Sequence, residues 1–255
     1  MLLAVDTGNT HTVLGLFDGK RLVASWRIAT RKENTADELG ALLRSLFAAK
    51  GLDPAGVDGV IVSSVVPDWN GVLAATSEGT FERTAVFVAP GVKTGIPILY
   101  ENPHEVGADR IVNAVAAVQR YGAPVIVLDF GTATTFDVVS AKGEYLGGVI
   151  APGLGISAEA LFSRAARLSR VDVRKPARVI GRTTEESVQA GLFLGYVALI
   201  EGIVKRLHAE LGVEAPVIAT GGLAPAFEGE LAFLAGVEPD LTLEGLRLIW
   251  EKNRR

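Results

Sequence analysis

One pattern occurs twice in this chain, and it limits the folds open to it more than any other feature. Met1-Leu2-Leu3-Ala4-Val5 is a short apolar run of buried-strand type that ends in Asp6-Thr7-Gly8-Asn9-Thr10. His11 to Phe17 reads as a second strand, Asp18-Gly19 as a hairpin turn, and Arg21 to Ile28 as a third strand. The segment from Val125 to Val139 repeats the arrangement. An apolar strand runs into Asp129, then Phe130-Gly131-Thr132-Ala133-Thr134-Thr135, then a second strand and another hairpin signal at Lys142-Gly143. Asp6 and Gly8 match Asp129 and Gly131 at one offset. Two such copies imply two related halves facing each other. Glycine lets the backbone approach a bulky ligand, and free N–H groups beside Thr hydroxyls suit phosphate oxygens. The two turns are therefore expected to grip a nucleotide polyphosphate, with Asp6 placed to hold Mg²⁺ directly or through water. Taken alone, either copy is also a plain strand–turn–strand with a turn-favouring Asp.

Between the copies, Thr35-Ala36-Asp37-Glu38 has capping-box form and opens a helix through Leu39, Leu42, Leu43, Leu46 and Phe47, stopping at Gly51. Residues 57–66 read as a buried strand ended by Pro67, followed by a helix over about 68–77 and a strand over 85–88. The first half is thus β-β-β-α-β-α-β, and Tyr121-Gly122-Ala123-Pro124 marks the break between expected domains 1–120 and 121–255. Ile111, Ala114, Val115 and Val118 share one helix face, which puts Asp109 and Arg110 in a first turn. The helix dipole alone accounts for an Asp there. Arg is disfavoured at that end and points to an anionic partner, either Glu105 or a ligand carboxylate.

In the second half, residues 157–168 read as a helix, and Gly181-Arg182-Thr183-Thr184-Glu185-Glu186 opens a long one to about Leu211. Thr183 with Glu186 makes a capping box, so capping accounts for both threonines. Gly191 and Gly195 fit either core packing or a dimer seam. Residues 217–219 form a last strand, Thr220-Gly221-Gly222 is a turn open to a nucleobase or ribose, and a terminal helix runs over 243–253. Gly153-Leu154-Gly155-Ile156-Ser157-Ala158 approaches the dinucleotide fingerprint but follows a hairpin, with Pro152 at the strand end. The stretch Gly15 to Arg21 is one residue short of a P-loop and has Arg in place of Ser/Thr. Neither is a phosphate motif.

Composition narrows the classes. With 255 residues and 49% apolar content, the chain can bury one large core or two ordinary ones. A net charge of −4 offers no basic face for nucleic acid. There is no cysteine, and His11, His104 and His208 have no zinc spacing. The amino terminus lacks a basic leader pattern, and the most apolar stretch, Val188 to Ile200, falls short of the roughly 20 residues that span a bilayer. A cytoplasmic protein without membrane or nucleic-acid partners is expected.

The β-β-β-α-β-α-β order resembles the ribonuclease-H-like half of the actin, hexokinase and Hsp70 superfamily. The implied fold class is α/β, with two ribonuclease-H-like (actin-like ATPase) domains related by internal duplication and an ATP cleft between them. Taken together, the motifs resemble type III pantothenate kinases nearly end to end. They are Asp6 to Thr10, Asn102-Pro103 through Gly107-Ala108-Asp109-Arg110, Asp129 to Thr135, Gly148 through Pro152-Gly153, Gly181 to Thr184, and Thr220-Gly221-Gly222. Thr183 stands where that family more often carries Asn. The resemblance implies ATP-dependent phosphorylation of pantothenate to 4'-phosphopantothenate, the first step of coenzyme A synthesis. It implies that Asp6, Thr7, Gly8, Asn9, Thr10, His11, Thr12 and Val13 bind ATP, with Thr132 contributing from the other half. Asp129 resembles the ligand of a monovalent cation, K⁺ or NH₄⁺, and Asp109 the general base. Tyr100, Gly107, Ala108, Asp109, Arg110 and Thr184 resemble the pantothenate contacts. Thr184 reaches the partner subunit's site in the family, so a homodimer is implied. At a helix N-terminus the Asp109 pKa is expected not to be high. The alternatives are another phosphotransferase of the superfamily, or an ATP-binding regulator without catalysis. Gly107 to Arg110 speaks against the first; the joint presence of Asp6, Asp109, Arg110 and Asp129 speaks against the second.

Overall fold

The apolar run at the start of the chain forms β1 (Leu2–Thr7), in which every residue but Asp6 is buried. Strands β2 (His11–Asp18) and β3 (Arg21–Ala29) follow as an antiparallel meander, with Gly19 in the left-handed region at φ 59° to make the turn. Helix α1 (Ala36–Ala49) starts as its sequence predicts. Thr35 Oγ1 accepts from Glu38 N–H at 3.3 Å, and Glu38 Oε2 accepts from Thr35 N–H at 2.8 Å. Strand β4 (Gly59–Ser64), helix α2 (Asn70–Phe81) and strand β5 (Ala85–Phe87) complete a five-stranded sheet ordered β3-β2-β1-β4-β5, with β4 parallel to β1 and β5 to β4. A short 3₁₀ turn at Pro67–Trp69 takes the place of the first residues of the expected helix. Leu3, Val5, Leu14, Phe47, Val62 and Trp69 form the core on one side of this sheet. Helix α3 (Ala108–Tyr121) follows. The computed structural model describes residues 1–165, 168 and 170–254.

The second half repeats the first. Its strands are β6 (Val125–Phe130), β7 (Ala133–Val139), β8 (Tyr145–Pro152), β9 (Val217–Thr220) and β10 (Leu234–Val237). They are ordered β8-β7-β6-β9-β10, the order of the first sheet, with antiparallel and parallel pairings in the same places. The fold is α/β with two mixed five-stranded sheets related by internal duplication. Helices α4 (Leu154–Arg164), α5 (Thr184–Leu211) and α6 (Ala224–Phe227) belong to this half. The expected helix over 157–168 begins earlier; Ala166 and Arg167, on which that expectation also fell, lie outside the described residues. Strand β10 was not expected. It is four residues long, partly exposed, and carries a register shift between Leu234 and Gly236 that hides any alternation. By length and composition alone α5 could cross a bilayer, since it extends well beyond the apolar stretch singled out in sequence. Phe193, Tyr196, Ile200 and Val204 are nevertheless buried in the core of this half, as in a soluble protein's core helix.

The chain end departs from the expected 121–255 domain. Two compact units emerge, Met1–Arg120 with Asp240–Arg255, and Tyr121–Pro239. Helix α7 (Leu241–Asn253) packs on the first sheet because that sheet offers it glycines. A Cβ at Gly15 would lie 2.8 Å from the Leu243 side chain, and one at Gly59 would run into the Trp250 ring. Gly245 of α7 in turn lies against the Val112 carbonyl of α3, and Thr242 Oγ1 donates to Asn113 Oδ1 at 2.7 Å. Nothing in the sequence of α7 names its receiving surface. Gly245→Ala is expected to destabilise the protein by about 1–3 kcal/mol in denaturant unfolding, because it overpacks against backbone. Gly79→Ala, in a helix position with nothing within 4 Å of the added carbon, is expected to be neutral or stabilising by up to about 1 kcal/mol.

Candidate active site

The first turn is shaped by backbone and clamped by threonines. Gly8 N–H donates to His11 O at 3.0 Å and closes a three-residue turn between β1 and β2. Thr30, one residue beyond β3, donates from Oγ1 to Gly8 O at 2.8 Å, and its hydroxyl lies 2.9 Å from Thr12 Oγ1. Its N–H donates to Thr10 O at 3.0 Å. Asn9, Thr10 and His11 are exposed, whereas Thr7 and Thr12 are buried. Among the described residues, the buried Thr7 hydroxyl has no hydrogen-bond partner. Asp6 sits half-buried at the strand end, opposite Val13 and Ser63. Thr30 was missed in the sequence. The only signal that would have found it is register, since β2 and β3 pair up to His11 and Ala29 and so carry Thr30 alongside the turn.

The start of α3 converges on the same sheet end. Val65 N–H donates to Thr7 O at 3.0 Å, and the Val65 side chain lies 3.6 Å from where a Cβ on Gly107 would be. Gly107 and Ala108 therefore bring Asp109 and Arg110 to the end of β1 and β4. Asp109 Oδ1 accepts from Arg110 N–H at 2.8 Å. Part of Asp109 remains open, but protein closely surrounds its carboxyl, and that burial pushes its pKa above the ordinary aspartate value. The Arg110 N–H, the Arg110 charge and the residue's own N–H act the other way and are outweighed. The helix-dipole expectation that this pKa is not high is thus corrected: the dipole is present, but desolvation of the charged form is the larger effect. Arg110 is buried. Of its two suggested partners, Glu105 accepts from Asn102 Nδ2 at 2.8 Å, while Asn102 Oδ1 receives His104 N–H at 3.2 Å, so this loop holds itself. Tyr100 is half-buried in the irregular segment before it.

In the second unit, Gly131 N–H donates to Ala133 O at 3.1 Å and makes a two-residue turn, one residue shorter than its counterpart. Asp129, next to last in β6, lies opposite Thr135 and Thr220. Gly221, at φ 93°, presses its backbone onto this carboxylate: an added Cβ would lie 2.5 Å from Asp129 Oδ1 and 2.7 Å from Phe130 N. The Thr220-Gly221-Gly222 turn therefore closes on Asp129. Gly153 N–H donates to Thr132 O at 3.2 Å, and Thr132 itself is exposed. One carboxylate set among backbone atoms suits a hard, oxygen-seeking cation. Among the described residues, no group of three His, Asp or Glu side chains forms a metal cluster.

Thr183 and Thr184 separate in role. Thr183 Oγ1 caps α5 by accepting from Glu186 N–H at 3.1 Å, while Glu186 reaches one residue past the capping-box position, to Arg182 N–H at 2.7 Å. Thr184 is exposed and lines a cavity of about 790 Å³ with Leu161, Gly181, Ser187 and Leu192. Neither Asp129 nor Thr132 lines that cavity.

Comparison with known proteins decides what these parts belong to. The sequence profile of the type III pantothenate kinase family matches residues 2–206. The chain belongs to the type III pantothenate kinase family. It is 56% identical to the type III pantothenate kinase of Myxococcus xanthus, covering 99% of each chain. It is 53% identical to that of Koribacter versatilis, covering 100% of this chain and 96% of the relative. Among solved structures, the fold is similar to that of the inorganic polyphosphate/ATP-glucomannokinase from Arthrobacter sp. strain KM, with a TM-score of 0.52, 16% identity and 99% of each chain covered. At that identity the likeness concerns fold alone. As a type III pantothenate kinase the chain is a phosphotransferase, and kinase activity is the readout for the geometry above. Gly107→Ala would set a Cβ 2.5 Å from Asp109 Oδ1 and must displace the carboxylate. Turnover is expected to fall about tenfold or more, with the melting temperature unchanged in the same preparation.

Proposed function

We propose that this type III pantothenate kinase transfers the γ-phosphoryl group of ATP to the primary hydroxyl of pantothenate, opening coenzyme A synthesis in the cytoplasm. The observation that carries the reading is identity above half, end to end, with proteins of that name. ATP phosphates lie along Asp6 to Val13, where Asn9, Thr10 and His11 are exposed, and Thr132 contributes as well. Mg²⁺ supplies charge neutralisation on the β and γ oxygens when bound, and Asp6 is the carboxylate suited to hold it. Asp129, under Gly221, is suited to K⁺ or NH₄⁺, whose site needs oxygen ligands at close quarters.

Phosphoryl transfer passes through a loose transition state, so alignment matters more than basicity. Asp109 orients the pantothenate hydroxyl and accepts its proton late in the transfer, a role served by a carboxylate with an upward-shifted pKa. Arg110 meets the pantothenate carboxylate, and Tyr100, Gly107 and Ala108 line the acceptor. Thr184 completes the site of a second copy in a homodimer. Gly191 and Gly195 support that reading over core packing: both are exposed on α5, with nothing within 4 Å of an added Cβ.

ADP release from MgATP, with and without pantothenate and in potassium or sodium buffer, tests the reading directly. Turnover without pantothenate would indicate another acceptor or an ATPase; bound ATP with no turnover would indicate a regulator. Asp109→Asn is expected to bind both substrates and lose roughly 100-fold or more in kcat. The wild-type kcat/KM for pantothenate should fall as pH drops through the Asp109 pKa, an acid limb above the ordinary aspartate value of about 3.9. The variant should lack that limb. The stability sign is opposite. The fold favours the neutral carboxyl, so its contribution to stability is lost as pH rises from the unfolded pKa through the folded one. Asp129→Asn is expected to raise the KM for ATP and blunt potassium activation; an unchanged potassium response would remove Asp129 from the cation site.

A further inference from the structure

Thr12 belongs to the run Asp6 to Val13, yet its side chain faces away from Asp6. Asp6 pairs with Val13 across β1 and β2, so those two residues share one face of the sheet. Alternation along β2 then puts Thr12 on the other face, with Leu14 and Leu16 of the core. Thr12 is only 1% exposed there. Its hydroxyl is engaged on that side. Thr30 Oγ1 lies 2.8 Å from Gly8 O and 2.9 Å from Thr12 Oγ1. A carbonyl can only accept, so the one proton of Thr30 goes to Gly8 O and Thr12 is the donor in the second contact. The hydrogen bonds thus run in one direction, from Thr12 to Thr30 to Gly8, and leave Thr12 no proton for a phosphate oxygen. The Thr30 N–H donates to Thr10 O at 3.0 Å, so one residue holds two carbonyls of the turn.

We propose that Thr30 is a positioning residue for the nucleotide turn, and that Thr12 acts through Thr30 and not on the nucleotide. In a planar trans peptide unit the carbonyl and the N–H point opposite ways. Holding the Gly8 and Thr10 carbonyls therefore fixes the directions of the Asn9 and His11 N–H groups, away from Thr30. The hold is firm because Thr30 directly follows β3, which pairs with β2 from His11 and Ala29 inward. Asn9, Thr10 and His11 are exposed and gain no such support from a core. A turn whose peptide units are set before a ligand arrives loses less freedom on binding than one that must be ordered by it. The effect of the Thr30 hydroxyl belongs to nucleotide affinity and not to the acceptor. The inference rests on reading Asp6 to Val13 as the nucleotide turn.

The test is equilibrium binding of MgATP to the full-length protein by calorimetry in potassium buffer, alongside steady-state kinetics. Thr30→Val keeps the shape and the backbone N–H but removes the hydroxyl. It is expected to weaken MgATP binding about threefold to tenfold, the effect of one lost hydrogen bond, with the KM for pantothenate unchanged. Thr30→Ala should show the same split, which keeps the test open if the valine variant does not fold, and Thr30→Ser should restore wild-type binding. Thr12→Val should lose no more than Thr30→Val, and adding it to Thr30→Val should cost nothing further. A Thr30→Val or Thr30→Ala protein that melts earlier yet binds MgATP normally would overturn the inference by showing a purely structural role. A further loss in the double variant would overturn it too, by showing that Thr12 meets the nucleotide itself. A wild type that binds no MgATP would overturn the nucleotide reading and this inference with it, whereas normal binding by the Thr30 variants overturns only the inference.

Discussion

Each unit depends on a central strand, β1 in one and β6 in the other, that is hydrogen-bonded along both edges. Such a strand must be apolar wherever it is covered, and its first polar side chain appears where cover ends. That side chain is Asp6 in β1 and Asp129 in β6, each the only residue of its strand that is not buried. Two ladders fix the backbone beneath the carboxylate, so its position costs no ordering when a ligand arrives. The chain must also leave the strand at once and come back beside it as β2 or β7. A glycine two residues after each Asp makes that return tight.

What the sequence displays follows from this constraint. A buried central strand, an Asp at its end and a glycine turn are written in consecutive residues, so the duplication and the β-β-β-α-β-α-β order could be read directly. The Thr35–Glu38 cap was equally legible, because donor and acceptor lie three residues apart. Features that depend on distant partners were not. Strand β10 joins the sheet only through β9 and carries a bulge. Helix α7 looks like any amphipathic terminal helix until Gly15 and Gly59 are seen to be its seat. The Asp109 pKa went the same way: its helix position is local information and speaks against a high value, whereas its burial is tertiary and prevails.

Strand β7 shows how a short segment can be held from both faces. Its alternation sends Thr134 toward α5 and Thr135 with Asp137 to the other side. Asp137 is fully buried, and its carboxylate accepts from Tyr145 Oη at 2.7 Å and from Thr135 Oγ1 at 3.0 Å. A polar group removed from water needs such partners to offset its lost hydration. Here they come from β7 itself and from its neighbour β8, so the network welds the edge of the sheet to the strand that follows the Asp129 turn.

The two turns are then related by topology but not by the groups that clamp them. In the first unit the clamp is Thr30, delivered by the register of β3, acting on Gly8 O and Thr12. In the second it is Tyr196, delivered by α5, acting on Thr134. The turns differ by one residue, Gly8–Thr10 against Gly131–Thr132, and so present their carbonyls differently to whatever lies beside them. A repeat in sequence therefore announces a repeated backbone path. It cannot announce the clamp, because a hydroxyl suited to one turn length has no matching acceptor at the other. Each copy needs its own hydroxyl, drawn from whichever element its own packing brings near.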